Sequence, residues 1–439
     1  MPSLPDVDHV YDIVGVGFGP ANLALAIAIA EAGPPERQLD ALFLERNARF
    51  SWHRGMLLEG TTMQVSFLKD LATLRNPTSS FSFINYLHAH GRLADFVNHK
   101  VFFPSRIEFH DYLEWAAASF GGMVRYGVDV FGIQPVVESG DTWAFDVTAE
   151  AADDGILTWR TRNLVLGMGI VPRLPPGVST SARVWHSSEL LTRLADATSP
   201  VARFAVVGAG QSAGEIAAYL HDTYPRAEVF VIVPRYGFTP ADDSPFVNGV
   251  FDPAAVDPYF YATPDVKARV FEYHASTNYS VVDADLIQEL YRRVYQEKVQ
   301  GTRRLHILRM TRVAAIHAED GRVRLVLDMM LPGHIDELAV DVVVCATGYG
   351  VMDAEATLGP TADLCERDAA GRLVVGRDYR VVTAPTVRAG IYLQGGTEHT
   401  HGLSASLLSN IAVRAGEIVE AVTREAKVDD VAGWGVVRA

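Results

Sequence analysis

Short apolar runs, each stopped by glycines or a turn, punctuate the chain. VYDIV at 10–14 predicts a short buried strand, and ANLALAIAIA at 21–30 predicts the helix after it. ALFL at 41–44 predicts a second strand, which ends in Glu45. The order then returns: FAVV at 204–207, a glycine turn, a helix, and EVFVIV at 228–233. DVVVCATGYG at 341–350 predicts another apolar strand. The stretch 390–419 reads as strand, glycine-rich loop and helix, with the helix N-terminus near Leu403. This alternation predicts an α/β fold with two doubly wound, Rossmann-like layers.

One segment stands apart. MQVSFLKDLATLRNPTSSFSF, Met63 to Phe83, is apolar enough for burial yet places Lys69 beside Asp70. A lysine there snorkels to water, pairs locally with Asp70, or holds an anionic ligand.

Composition narrows the classes. The 439 residues are 49% apolar and 21% charged, which suits a soluble protein of two or three domains. A net charge of −15 argues against nucleic acid or an anionic membrane as partner. No apolar run reaches a membrane span, and MPSLPDVDHV lacks the features of a secretory signal. Cys345 and Cys365, 20 positions apart, make neither a disulfide framework nor a close redox pair. A cytoplasmic location is expected, and a dithiol flavin reductase is disfavoured.

The glycine turns carry the first chemistry. Gly15 and Gly17 let the backbone turn tightly and approach a pyrophosphate, and the helix N-terminus faces the phosphates. Gly19 and Pro20 stand where a third glycine is usual, and proline suits a first helical turn. Glu45, 28 residues past Gly17, is placed to accept hydrogen bonds from a ribose. In the second set, Gly208 and Gly210 make the turn, and Gln211 and Ser212 begin the helix near a pyrophosphate. Arg235, not an acid, follows the next strand. Arginine pairs with a 2′-phosphate, which favours NADPH over NADH, unless Arg235 is only a solvated loop residue. Two such folds in one chain suggest FAD on the first and NADPH on the second. LVLGMGIVPRLP at 164–175 looks like the exit into an inserted domain, and the strand running into Ala346, Thr347, Gly348 and Tyr349 like the return, with Thr347 expected among the NADPH contacts. The expected division is 1–179 and 346–439 for the FAD domain, the latter with a C-terminal substrate and flavin loop, and 180–345 for the NADPH domain. Within that insertion, 238–295 contributes to a smaller substrate-binding region.

Eight stretches together resemble the flavin-dependent N-hydroxylating monooxygenases, most of all the L-ornithine hydroxylases of siderophore and hydroxamate biosynthesis. They are GVGFGPANLALAIA, MQVSFLKDLATLRNPTSSFSFINYL, FFPSRIEFHDYLEWA, GAGQSAGEIA, ADDSPFVN, TNYSVVDADLI, CATGY and THGLSASLLSN, and they span almost the whole chain. The resemblance implies that NADPH reduces FAD, that O₂ then forms a flavin C4a-hydroperoxide, and that a neutral amine attacks it to become a hydroxylamine. It implies no metal and no protein nucleophile. It places Lys69 on the substrate α-carboxylate, with Asn248 and Asn278 as further substrate contacts and Asn278 holding the reactive amine. It places Gln64 near flavin and nicotinamide, and it implies a homo-oligomer, often a tetramer.

Other roles stay open on the residues alone. Ser404 and Ser406 contact flavin or substrate, and N–H groups near Leu403 could stabilise reduced flavin. Trp52, before His53, packs on the isoalloxazine or in the core. Arg106 meets a cofactor phosphate or pairs with Glu108 or Asp70. Glu398, His399 and His401 lack the third histidine that would make a metal site persuasive. Lys69 speaks against a diamine substrate. Ornithine and lysine differ by one methylene, about 1–3 kcal/mol in a fitted pocket, so the preference for ornithine rests on resemblance. An NADPH-dependent flavin reductase and a non-catalytic flavin sensor are the rival classes.

Overall fold

The computed structural model describes residues 9–34, 38–152, 154–197, 199–319, 321–330 and 335–431. Two sheets organise it. In the first, Val124–Tyr126, Ala41–Glu45, Val10–Val16, Gly155–Leu166 and Gly390–Leu393 run parallel in that spatial order. Gly155–Leu166 is long enough to serve two neighbourhoods. Its second half pairs with Val10–Val16 and Gly390–Leu393, while its first half pairs antiparallel with Asp141–Ala151, which pairs with Val128–Glu138. The second sheet is wholly parallel, in the order Leu305–Leu308, Glu228–Ile232, Arg203–Val207, Val342–Cys345, Val184–His186. Its strands are nearly continuous apolar runs, as expected where both faces are covered. The Gln211–Thr223 and Ala284–Gln300 helices contribute to the core on one face. An antiparallel meander, Arg312–Glu319, Arg322–Asp328 and Ile335–Val340, contributes on the other.

The chain crosses between the sheets along a two-stranded ribbon. Ile170–Pro172 pairs antiparallel with Tyr349–Val351, so exit and return run side by side. Thr347 closes this joint by donating its hydroxyl to the Arg173 carbonyl.

The Met63–Phe83 segment is anchored by the first core. Met63, Leu71, Ala72 and Phe83 are buried there with Phe109 and Tyr112. Asp70, 2% exposed, organises the turn: its carboxylate accepts from the N–H groups of Ala72, Thr73 and Phe83 at 2.9, 2.6 and 2.7 Å. Those donors satisfy Asp70, and of the alternatives for Lys69 local pairing with Asp70 is the one the structure does not bear out. The last helix, Ile411–Val431, packs across Pro20–Glu31 through Ile411, Ala415, Ile418 and Val419.

Candidate active site

Both glycine turns sit at the C-terminal ends of parallel strands, where open α/β sheets bind ligands. At the first, Gly17 has φ +84°, and a Cβ there would lie 2.7 Å from the Gly167 carbonyl. Asn22, fully buried, props the turn by donating to the Gly17 and Val16 carbonyls at 2.7 and 3.3 Å. A Cβ on Gly15 would strike the Phe43 ring. A Cβ on Gly19 would meet nothing within 4 Å, so Gly19 borders open space. Gly19 caps the Pro20–Glu31 helix without a side-chain hydrogen bond, and Pro20 occupies its first turn. This leaves backbone N–H groups directed at an open cradle, which fits a pyrophosphate. The segment 397–410 adds buried side-chain oxygens with no protein partner, on Thr397, Ser406, Ser409 and Asn410. Buried polar atoms are rarely left so, and these fit a polar ligand beside the cradle.

The second turn repeats the arrangement. Gly208 has φ +151°, and a Cβ would lie 2.2 Å from the Ala346 carbonyl. Gly210 caps the Gln211–Thr223 helix with no side-chain bond, and Ser212 lies in the first turn. Arg235 is exposed and donates from Nη1 to the Ser280 carbonyl at 3.1 Å. The 279–283 segment is thereby held against the second turn, with the Ser280 Cα 3.5 Å from where a Gly210 Cβ would be.

Lys69 faces a different acid from the one beside it. Its Nζ lies 3.6 Å from Asp252 Oδ1. Asn248 lies four residues earlier, at the end of the Pro245–Asn248 turn, where its Nδ2 donates to the Asp243 carbonyl at 2.7 Å. The 249–251 turn packs on the 403–406 turn, and Tyr279 donates its hydroxyl to Glu398 at 2.5 Å. Asn278 ends the Pro264–Asn278 helix, but its side chain falls outside the described residues. The structure therefore brings together the stretches carrying Lys69, Asn248, Asn278, Ser404 and Ser406.

Several expectations need correction. No long helix begins at Leu403. Leu403–Ser406 is a 3-10 turn, and the helix starts at Ile411. The turn is held from below by Arg414, which donates to the Ala405 carbonyl and to Gln394 Oε1. Arg106 pairs with neither Glu108 nor Asp70. It forms a two-pronged pair with Glu215, at 2.8 and 2.7 Å, which ties it to the Gln211–Thr223 helix of the second sheet. Glu45 accepts from the Phe18 and Asn47 N–H groups at 2.7 and 2.8 Å, so it also braces the first turn itself. His399 and His401 turn Nε2 to the carbonyls of Leu373 and Arg377, at 3.0 and 3.1 Å. Burial pushes the His401 imidazole down to about 3. Burial and then the Arg106 charge bring His53 to about 4. Both rings are neutral at pH 7, and His53 sits with φ +48° beside Tyr349. Trp52 packs against Phe109 and His53 at the edge of the first core.

A family model described as L-lysine 6-monooxygenase/L-ornithine 5-monooxygenase matches residues 9–351, well over half of the chain. The chain belongs to this family. Among its relatives, an L-ornithine N(5)-monooxygenase of Pseudomonas aeruginosa is 40% identical over 415 residues, 93% of each protein. The solved ornithine N-hydroxylase of Kutzneria sp. 744, described with reduced FAD, NADP⁺ and L-ornithine, is 48% identical with a TM-score of 0.92, covering 95% of this chain and 100% of that one. An L-lysine 6-monooxygenase of Pseudomonas syringae is 33% identical with a TM-score of 0.83, covering 94% and 99%.

In this lysine/ornithine monooxygenase, Asn22, Glu215, Asp252 and Asp283 were not among the residues expected at the site. Asn22 carried a signal, an amide inside an otherwise apolar helix. Glu215 and Asp283 carried no local signal, because their partners lie far away in sequence.

Proposed function

We propose that the protein hydroxylates the side-chain amine of L-ornithine to N5-hydroxy-L-ornithine. The balance is one O₂ and one NADPH with a proton consumed, and one NADP⁺ and one water released per amine hydroxylated. FAD belongs on the first glycine turn, in the domain of 1–179 and 346–439. NADPH belongs on the second, in 180–345, with 238–295 reaching the substrate. Bound FAD supplies the oxygen-activating chemistry. The chain's residues bind, orient and keep out water. Asn278 and the 403–406 turn hold the amine end. The amine reacts in its neutral form, so activity is expected to favour mildly alkaline pH. A cytoplasmic homo-oligomer fits this reading.

The observation that carries it is the ammonium of Lys69, placed with the Asn248 segment and the 403–406 turn. A zwitterionic substrate needs a cation for its α-carboxylate, and a diamine would be repelled. Higher identity to the ornithine enzyme than to the lysine enzyme supports ornithine. The test is to supply FAD-loaded protein with NADPH and O₂ and to assay hydroxylamine from L-ornithine, L-lysine and putrescine side by side. Product from ornithine alone is expected. Product from putrescine would overturn the role of Lys69, and peroxide without product would point to a reductase.

Arg235→Ala is expected to raise the apparent KM for NADPH about tenfold while leaving that for NADH nearly unchanged. Equal changes for both coenzymes would return Arg235 to the solvated-loop role.

A further inference from the structure

Asp283 occupies the N-cap of the Ala284–Gln300 helix, the position where aspartate ordinarily turns back to accept from its own helix. It makes no such bond. Its carboxylate instead faces two glutamines from distant parts of the chain. Oδ1 accepts from Gln64 Nε2 at 3.1 Å, and Oδ2 accepts from Gln211 Nε2 at 2.7 Å. The Asp283 N–H returns a bond to Gln211 Oε1 at 2.9 Å. Gln211 also donates to Glu215, which is paired with Arg106.

A carboxylate accepts and does not donate, so each amide must turn its NH₂ to Asp283. Gln211 is thereby committed at both ends. Gln64 has one N–H committed, and it keeps a carbonyl oxygen and a second N–H for a ligand. That pair complements a primary carboxamide, which also offers one donor face and one acceptor face. Gln64 belongs to the first domain's stretch and Gln211 to the first turn of the second domain's helix. One side chain thus ties them together.

We propose that Asp283 is a positioning residue that registers Gln64 against the second glycine turn, so that Gln64 meets the nicotinamide carboxamide of NADP(H). The proposal rests on the NADPH assignment above. Helix capping is the competing structural role, and the substitution Asp283→Ser separates the two, because serine caps a helix well but bridges no pair of amides. The measurements are NADP⁺ affinity by calorimetry on the full-length FAD-loaded protein, and the ratio of hydroxylamine formed to NADPH consumed. Asp283→Ser is expected to weaken NADP⁺ binding about tenfold and to lower that ratio, with the thermal midpoint preserved. Gln64→Ala should add little to Asp283→Ser, since both remove one linked interaction. Unchanged NADP⁺ affinity and an unchanged ratio in Asp283→Ser would overturn the proposal, as would fully additive losses in the double variant. Failure of the unsubstituted protein to bind NADP⁺ would instead overturn the underlying cofactor assignment.

Discussion

Arg106→Ala is expected to lower the thermal midpoint sharply and to loosen the Gln211–Thr223 helix from the Arg106–Ala118 helix. The pair it breaks is secluded: the Arg106 and Glu215 side chains are 13% and 4% exposed. Removing one member of a buried pair costs about 3–5 kcal/mol, because the other charge is stranded. The two members are not equivalent. Without Glu215, Arg106 still reaches the carbonyls of Met56 and Thr62, at 3.2 and 3.4 Å. Without Arg106, the Glu215 carboxylate keeps, among the described residues, the amide of Gln211. Arg106→Ala should therefore be worse than Glu215→Gln, and replacing both by apolar residues should recover part of the loss. Thermal unfolding of the FAD-loaded variants tests this order. An unchanged midpoint in Arg106→Ala would show that the pair contributes nothing.

Lys69→Ala is expected to raise the KM for L-ornithine on the order of a hundredfold, the cost of desolvating a carboxylate without its cation. FAD content and substrate-free reduction by NADPH should hold, since Lys69 lies apart from both glycine turns in its contacts. Asp252 gives the experiment a second side. The substrate carboxylate must share or take over the cation that Asp252 faces, so added salt should alter ornithine saturation in the parent more than in the variant. Steady-state kinetics at two ionic strengths reads both. Unchanged ornithine saturation in Lys69→Ala would remove Lys69 from the site.

The parts of the fold that could be read in advance are those whose physics is local. The first glycine turn, its proline-led helix and the strand ending in Glu45 follow from residues within one stretch. Periodicity did not disclose the antiparallel meander of 312–340, because strand pairing is not written in one run. The site shows the same division. Lys69 announced itself as a charge in an apolar segment, but its facing acid, Asp252, is brought up by the fold. The adjacent Asp70 was the tempting partner, and its carboxylate is spent on backbone N–H groups. Asp283 drew no notice in the sequence, and only the approach of Gln64 and Gln211 reveals where it points. The misplaced helix start at Leu403 has a plain cause. The sequence runs through two 3-10 turns there, held by a buried arginine that local pattern does not show.

The long strand Gly155–Leu166 has a consequence for how the molecule is made. Its outer neighbour, Gly390–Leu393, leaves the ribosome more than two hundred residues later, and the helix that covers Pro20–Glu31 follows later still. Vectorial synthesis usually lets the first domain finish first. Here the middle of the chain can complete its own parallel sheet, Val184–His186 through Val342–Cys345, while the beginning waits with an unpaired strand edge and an uncovered apolar helix. Strands translated ahead of the second sheet thus belong to the last unit to close, and a nascent chain stalled before residue 390 would be the form most exposed to aggregation.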